Sequence, residues 1–133
     1  MIERKTTRQI QVGEVTVSGA APIAVQSMTN TLTSDVEATV RQIHQLEQAG
    51  CEIIRVAVPD LAAARAITAI REQIAIPLIA DIHFDSRLAV AAVEHGAQCI
   101  RINPGNLGGP DKLARVVAAA RRHNAPIRVG VNS

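Results

Sequence analysis

The chain has 133 residues, with 14 Lys and Arg against 12 Asp and Glu, and 47% of its residues are hydrophobic. This length is enough for one domain with a hydrophobic core, but a complete eight-stranded barrel takes about 250 residues. A net charge of +2 and a single aromatic residue argue against single-stranded nucleic acid, which binds to aromatic stacking platforms, and against charge-driven membrane binding.

A short hairpin and a first strand–helix unit are the first predicted elements. Residues 9–18 alternate apolar and polar side chains around Gly13, which is typical of a β-hairpin, and we expect it to cover one end of the structure that follows. Residues 23–28 are predicted as the first buried strand. The segment 34–37, Ser-Asp-Val-Glu, predicts a capping box at the start of a helix that ends at Ala49, before a glycine.

The strand–helix pattern then recurs and ends on a fifth strand. The remaining strands are predicted at residues 52–58, 77–83, 98–103 and 127–131. The helices between them are predicted to begin at Asp60, Ser86 and Pro110 and to end near Ile74, His95 and His123. Strands that alternate with helices in this way run parallel and are joined by right-handed crossovers. Continuous apolar runs within them indicate strands that are covered on both faces.

Two architectures fit this pattern, an open doubly wound sheet and a (β/α)8 barrel that stops after its fifth strand. The dinucleotide fingerprint Gly-x-Gly-x-x-Gly does not follow the first strand, which favours the barrel. The sequence therefore predicts an α/β fold. We expect a partial TIM-like barrel of about five strands and four helices, preceded by the hairpin, with residues 1–133 as the N-terminal portion of a substrate-binding barrel domain.

Polar side chains occur at the carboxyl ends of four predicted strands. They are Arg55, Asp81, His83, Arg101, Asn103, Arg128 and Asn132. Because alternate residues of a strand share a face, the polar residues of each strand lie on one face and leave the other apolar. The apolar face suits contact with the helices. The polar residues should therefore face the barrel axis, at the end where barrel enzymes place their sites.

Three of these residues are arginines, and only one nearby carboxylate, Asp81, faces them. At a separation of about 8 Å and an effective dielectric constant near 20, each pair of like charges costs roughly 2 kcal/mol. A bound phosphate or diphosphate removes this cost, and its oxygens suit the planar donors of arginine. The alternative is a salt bridge that holds the barrel together.

Other residues near the arginines are weaker candidates for a role in the site. Asp81 and His83 alone do not complete a metal site, so substrate contact or acid–base work is favoured for them and no metal site is predicted. The glycine-rich loop 103–109 leads into a helix N-terminus, which either binds an anion or is a plain turn. The residues that end the first strand and could also reach the site are Gln26, Ser27 and Thr29.

Cysteine content and hydropathy bear on location. Cys51 and Cys99 are far apart and begin predicted strands, so we expect buried reduced thiols and neither a disulfide nor cluster ligands. The N-terminus has no apolar signal region, and no run of about 20 apolar residues occurs. We therefore expect a cytoplasmic protein without a nucleic-acid or membrane partner.

Five segments, in the same order along the chain, carry a family resemblance. They are residues 25–29 (VQSMT), 50–59 (GCEIIRVAVP), 80–85 (ADIHFD), 100–106 (IRINPGN) and 128–133 (RVGVNS). Together they resemble the N-terminal part of 4-hydroxy-3-methylbut-2-enyl diphosphate synthase. That family comprises iron–sulfur oxidoreductases of the non-mevalonate pathway of isoprenoid (terpenoid) biosynthesis.

The resemblance implies a barrel that binds 2-C-methyl-erythritol 2,4-cyclodiphosphate, which the synthase reductively converts to 4-hydroxy-3-methylbut-2-enyl diphosphate. It implies that the diphosphate is held by Arg55, Arg101 and Arg128. It further implies that the pocket is lined by Asp81, His83, Asn103 and Asn132.

For the complete enzyme the resemblance implies a homodimer, ferredoxin or flavodoxin as electron donor, and a [4Fe-4S] cluster. The cluster ligands, three cysteines and a glutamate, belong to a C-terminal domain that is absent from this sequence. We therefore expect this chain to bind the substrate without turning it over. No catalytic residue is predicted within it.

The sequence is also compatible with two other functions. One is a different barrel enzyme for a phosphorylated or pterin-like substrate, for which dihydropteroate synthase is a structural analogy. The other is a non-catalytic anion-binding assembly module in which a second copy completes the half-barrel. Five parallel strands leave two open edges, which favours such self-association.

Overall fold

A computed structural model of the chain describes residue 3 and residues 5–131. Its strands are β1 (Ile10–Val12), β2 (Val15–Val17), β3 (Gln26–Met28), β4 (Ile53–Ala57), β5 (Leu78–Asp81), β6 (Cys99–Ile102) and β7 (Ile127–Val129). Its helices are α1 (Val36–Gln48), α2 (Leu61–Arg71), α3 (Ser86–Glu94) and α4 (Pro110–Arg122), with a 3-10 turn at Pro104–Asn106. The predicted order of a hairpin followed by five strands and four helices is confirmed.

The sheet has the strand order of a TIM barrel. Strands β3, β4, β5, β6 and β7 are neighbours in chain order, and every pair is parallel. A doubly wound sheet reverses its strand order at one point, and this sheet does not. The antiparallel pair β1–β2 stands apart as its own hairpin. The predicted partial barrel is therefore confirmed.

The outward face of the sheet packs against the helices. Ile54, Val56, Leu78 and Ile100 are completely buried there. The fully buried helix residues that join the same cluster are Ile43, Ala64, Ile67, Ile70, Ala89, Ala92 and Val116. Complete burial of one large apolar side chain stabilises a fold by about 1.5–3 kcal/mol, so this layer supplies most of the hydrophobic stabilisation. None of the described helices is long and apolar enough to cross a membrane.

A second, smaller cluster lies on the inward face, at the amino ends of the strands. Val12 of the hairpin packs there against Ile53, Ile79 and Cys99, and all four are at most 3% exposed. The hairpin thus covers the amino end of the half-barrel, as predicted. The carboxyl end of the same face is left free of the hairpin.

The predicted capping box at the start of α1 is wrong. The cap is Asp35 rather than Ser34, because its side chain accepts a hydrogen bond from the Ala38 backbone N–H at 3.1 Å. Glu37 then occupies the wrong turn position to reach back to the cap, and its Oε1 accepts a hydrogen bond from Arg41 Nη2 at 3.0 Å instead. Aspartate and serine cap helices equally well, so local sequence did not decide between them.

All five strands of the sheet are shorter than predicted, including the central strand β5, which spans Leu78–Asp81 rather than residues 77–83. β3 begins at Gln26 rather than at residue 23, and β7 ends at Val129 rather than at residue 131. Each edge strand has only one neighbour in the sheet, so hydrogen bonding supports it from one side. The flanking apolar residues Ile23 and Val131 are 75% and 80% exposed.

Candidate functional site

The register of the sheet brings the polar strand-end residues together on the inward face. Asp81 is paired with Arg101 across β5 and β6, and Arg101 with Arg128 across β6 and β7. Arg55 lies on the same face of β4, two residues before the position that pairs with Asp81. Alternation along the strands had predicted this shared face. The carboxyl ends of four neighbouring strands therefore contribute to one polar cluster.

Asp81 lies at the centre of this cluster. Its Oδ2 is 3.5 Å from Arg55 Nε and its Oδ1 is 3.5 Å from Arg101 Nη1, while its side chain is only 4% exposed. Charge-assisted hydrogen bonds are typically about 2.7–2.9 Å long, so neither contact is a tight pair. Arg55 Nε is buried without a hydrogen-bond partner in the described part of the chain. Each guanidinium carries five N–H donors, so both arginines retain donor capacity for a further anion beyond their contacts with Asp81.

Arg128 is hydrogen-bonded to a residue at the opposite edge of the sheet. Its Nη1 donates a hydrogen bond to Gln26 Oε1 at 2.8 Å, although β3 and β7 are the two edge strands. Such a contact requires a curved sheet whose concave side lies between the two side chains. This partner is uncharged, whereas Asp81 contacts Arg55 and Arg101. Three arginines and the one carboxylate of Asp81 therefore leave two positive charges uncompensated in the cluster.

The register also decides which residue of the first strand faces the site. Gln26 is paired with Ile53 of the inward face, whereas Ser27 is paired with Ile54 of the outward face. Thr29 follows β3, is 6% exposed, and its Oγ1 has no hydrogen-bond partner among the described residues. The sequence left these three residues unresolved because its alternation gave no absolute orientation for β3.

Sequence reasoning missed a role for Gly130. It lies on the inward face, two residues after Arg128, and its backbone N–H donates to Ile102 O at 2.9 Å. A Cβ at this position would lie 2.6 Å from Arg101 Cζ. The Arg101 guanidinium therefore rests directly against the Gly130 backbone. The available signal was a glycine on the polar face of a strand, which often marks a close approach.

The remaining predicted site residues lie at the margin. His83 follows β5, which ends at Asp81 rather than at residue 83, and its side chain is 52% exposed with Nε2 3.8 Å from Asp81 Oδ2. Asn103 Oδ1 accepts a hydrogen bond from the Gly105 backbone N–H at 3.1 Å, so this amide also orders the turn after β6. Asn132 lies outside the described residues.

The glycine-rich loop after β6 is an ordered turn. Pro104–Asn106 form the 3-10 turn, and Leu107 is 1% exposed. Gly108 and Gly109 have φ angles of 88° and 115°, which side chains rarely adopt, so the backbone conformation accounts for both glycines. Of the two interpretations of this loop, the plain turn therefore explains its composition without a ligand.

A cavity lies below the arginine cluster. It encloses about 920 Å³ between the hairpin and the inward face, and its walls include Val12, Ile53 and Ile79. Gln26 and Arg128 also border it, whereas Arg55, Asp81 and Arg101 lie beyond it. These walls are mainly apolar, and side-chain layers fill the corresponding space in complete TIM barrels. The charged cluster, rather than this cavity, is the candidate anion site.

The cysteines do not fit an iron–sulfur cluster. Cys51 and Cys99 are free and buried, and they belong to the separate outward and inward hydrophobic clusters. Burial raises the pKa of the Cys99 thiol to about 11, with a partial offset from nearby Arg128, and cluster ligands are thiolates. Among the described residues there is no group of three or more His, Cys, Asp or Glu that could hold a metal ion.

Sequence relatives identify the family of this fold. The chain matches the model of the GcpE TIM-barrel domain over residues 7–133. It is 64% identical over 133 residues to 4-hydroxy-3-methylbut-2-en-1-yl diphosphate synthase (flavodoxin) of Desulfotalea psychrophila, which covers 100% of this chain and 36% of the relative. The relative of the same name in Nitratidesulfovibrio vulgaris is 59% identical over 132 residues, 99% of this chain and 34% of the relative. The chain spans about a third of the length of these curated relatives.

Solved structures with the same fold include dihydropteroate synthases. The Yersinia pestis enzyme matches with a TM-score of 0.66 at 16% identity, over 90% of this chain and 44% of that chain. The Vibrio fischeri enzyme also has a TM-score of 0.66, at 17% identity, over 91% of this chain and 49% of that chain. Likeness at this identity shows the shared barrel fold alone. It does not favour a pterin-like substrate.

Proposed function

This chain belongs to the GcpE TIM-barrel domain family, and we propose that it is the diphosphate-binding barrel portion of a 4-hydroxy-3-methylbut-2-en-1-yl diphosphate synthase. The names of its relatives support an oxidoreductase of isoprenoid biosynthesis. The proposed substrate is 2-C-methyl-erythritol 2,4-cyclodiphosphate. The proposed product of the whole enzyme is 4-hydroxy-3-methylbut-2-enyl diphosphate.

One observation carries the proposal for this chain: three arginines from three strands share one face of the sheet with the carboxylate of Asp81, which contacts two of them. Arg55, Arg101 and Arg128 lie on one face of the sheet, and Asp81 balances one of their three charges. A cyclic diphosphate carries two ionised oxygens, so it would neutralise the two remaining positive charges. The planar guanidinium groups suit bidentate contact with its phosphoryl oxygens.

The margin of the cluster suits the rest of the substrate. His83 is half exposed beside Asp81, where its ring can contact a polar substituent of the bound molecule. Asn103 is half-buried after β6, and we place it and Asn132 along the pocket wall on the basis of the family resemblance. Because a carboxylate repels a phosphate, Asp81 acts as the internal counter-charge and not as a direct ligand of the anion.

The redox half of the reaction requires residues other than those described. Since the described residues do not fit an iron–sulfur cluster, no electron-transfer step is derived for them. We propose that the complete synthase holds its [4Fe-4S] cluster elsewhere and receives electrons from flavodoxin, which the names of the relatives support. The family resemblance also supports ferredoxin as an alternative donor and a homodimer, and we propose a cytoplasmic location.

Isothermal titration of this chain with the cyclodiphosphate tests the proposal. Arg101→Ala should weaken binding by about 10- to 100-fold, because it removes a charged hydrogen-bond donor worth about 1.5–3 kcal/mol. Arg65→Ala is the matched control, since it removes the same charge from an exposed position of α2. Equal affinity of the parent and Arg101→Ala, with circular dichroism showing both folded, would remove the arginine cluster from the substrate site.

A turnover assay of the purified chain tests whether substrate binding and the redox step belong to different residues of the complete synthase. The chain should show no reductive conversion of the cyclodiphosphate with a reduced electron donor, and no broad visible absorbance after iron–sulfur reconstitution. Either signal would overturn the assignment of the redox half to other residues. The titration result for substrate binding would stand independently of it.

A further inference from the structure

We propose that Gly130 is a positioning residue for the diphosphate site, because its bare backbone is the surface on which the Arg101 guanidinium rests. This inference depends on the proposed function, since it concerns how one of the binding arginines is held. It assigns to the glycine a role that acts through Arg101 rather than through the anion.

The local geometry separates this glycine from those required by backbone conformation. The other described glycines, except Gly105, have positive φ angles, whereas Gly130 does not. Its backbone N–H continues the hydrogen bonding between β6 and β7 through Ile102 O. Alanine is therefore compatible with the main chain at this position, and the main chain has no reason of its own to require glycine. What excludes a side chain is Arg101, whose Cζ would lie 2.6 Å from a Cβ.

The second restraint on Arg101 comes from Asp81. The carboxylate lies 3.5 Å from Arg101 Nη1, and the Arg101 side chain is only 19% exposed. The guanidinium is thus bounded by Asp81 and by the Gly130 backbone. Bidentate recognition of a phosphoryl group depends on the plane of the donor fork. A group that fixes this plane before the anion arrives lowers the ordering cost of binding.

Gly130→Ala tests the proposal without changing any charge. The displaced atoms are the far end of a flexible side chain, so the variant should fold as the parent does while Arg101 moves off its position. Isothermal titration with the cyclodiphosphate should then show affinity reduced by about tenfold, the lower end of the value for a lost charged hydrogen bond.

A double-mutant cycle shows whether the effect passes through Arg101. In the Arg101→Ala background, Gly130→Ala should cause no further loss of affinity, because the group it displaces is absent. An equal loss in both backgrounds, or parent affinity for Gly130→Ala, would overturn the positioning role. Parent affinity for Arg101→Ala itself would instead overturn the proposed function.

Thermal unfolding keeps the inference testable if the substitution harms folding. A clash with Arg101 predicts that the Gly130→Ala, Arg101→Ala double variant regains the melting temperature of Arg101→Ala. A loss of stability that persists in the double variant would place the requirement for glycine in the backbone. That outcome would contradict the positioning role.

Discussion

The two faces of the five-stranded sheet differ in what they contribute. The outward face is mainly apolar, and its central strands are buried against the helices. The inward face changes character along the strands, from the apolar cluster of Val12, Ile53, Ile79 and Cys99 under the hairpin to the arginine cluster at the carboxyl end. Stability is therefore concentrated on the outward face, and binding capacity at one end of the inward face.

This contrast explains why charged residues are tolerated within buried strands. Arg55 and Arg101 are 25% and 19% exposed and share one carboxylate that is 4% exposed. An isolated buried charge is costly, but these charges lie at the open end of the concave face, where water or an anion can reach them. The same arginines on the outward face would have to contact the helices.

Ile54→Ala should cause the largest loss of stability, because it removes a buried side chain from the outward face. Ile54 is 0% exposed within the main cluster, and deletion of such a side chain leaves a cavity that costs about 4 kcal/mol. Urea denaturation followed by circular dichroism measures the free energy of unfolding. Ile23→Ala, at a residue that is 75% exposed, is the control and should change it by less than about 0.5 kcal/mol. Similar losses in both variants would contradict the assignment of the core to the outward face.

Stability should depend on pH through Cys99, the buried thiol of the inward apolar cluster. The folded chain keeps the Cys99 proton up to a pKa of about 11, while the unfolded thiol ionises near its ordinary value of 9.0. The contribution of this buried thiol to the free energy of unfolding is therefore fully present below pH 9. The free energy of unfolding should fall by about 2–3 kcal/mol as the pH rises to 11. The chain has no tyrosine, which removes one competing titration from this window.

Cys99→Ala and Cys51→Ala form the matched pair for this measurement. Urea denaturation at several pH values should show a flatter profile above pH 9 for Cys99→Ala, since the perturbed thiol is gone. Cys51→Ala retains Cys99 and should keep the fall. A profile for Cys99→Ala as steep as that of the parent would assign the fall to other groups.

Asp81→Asn should give the smallest of these effects, at the polar end of the inward face. It removes the counter-charge of Arg55 and Arg101, but both contacts are 3.5 Å long, so the expected loss of stability is about 1–2 kcal/mol, between surface and buried pairs. Inorganic pyrophosphate should reduce this loss, because a bound anion replaces the missing charge. A loss that pyrophosphate leaves unchanged would show that Asp81 acts by packing or hydrogen bonding alone.

A control for that measurement is the exposed pair Glu37–Arg41 on α1. Glu37→Gln removes an ion pair of 3.0 Å whose side chains are 87% and 64% exposed. Such pairs contribute less than about 0.5 kcal/mol. Pyrophosphate should not change the stability of this variant relative to the parent.

Much of the fold was predictable because strand and helix periodicities are local. The alternation at Arg55, Asp81, Arg101 and Arg128 predicted a shared face, and the register shows it. The errors occurred where two local solutions have similar energies. Asp35 and the serine before it are equally good helix caps, and the ends of the strands, at the edges and at the centre of the sheet, depend on backbone partners in neighbouring strands.

By itself, the sequence determined the order of the elements, the apolar and polar faces of each strand, and the family. The elements and faces follow from side-chain periodicity along one segment at a time, whereas the family follows from the resemblance of five segments taken together. Only the tertiary structure decided that Arg128 contacts Gln26 and that Asp81 contacts two arginines. It also decided that the Arg101 guanidinium lies against the Gly130 backbone. Those contacts join residues 20 to 102 positions apart, and their distances depend on strand register and sheet curvature, which no local pattern encodes.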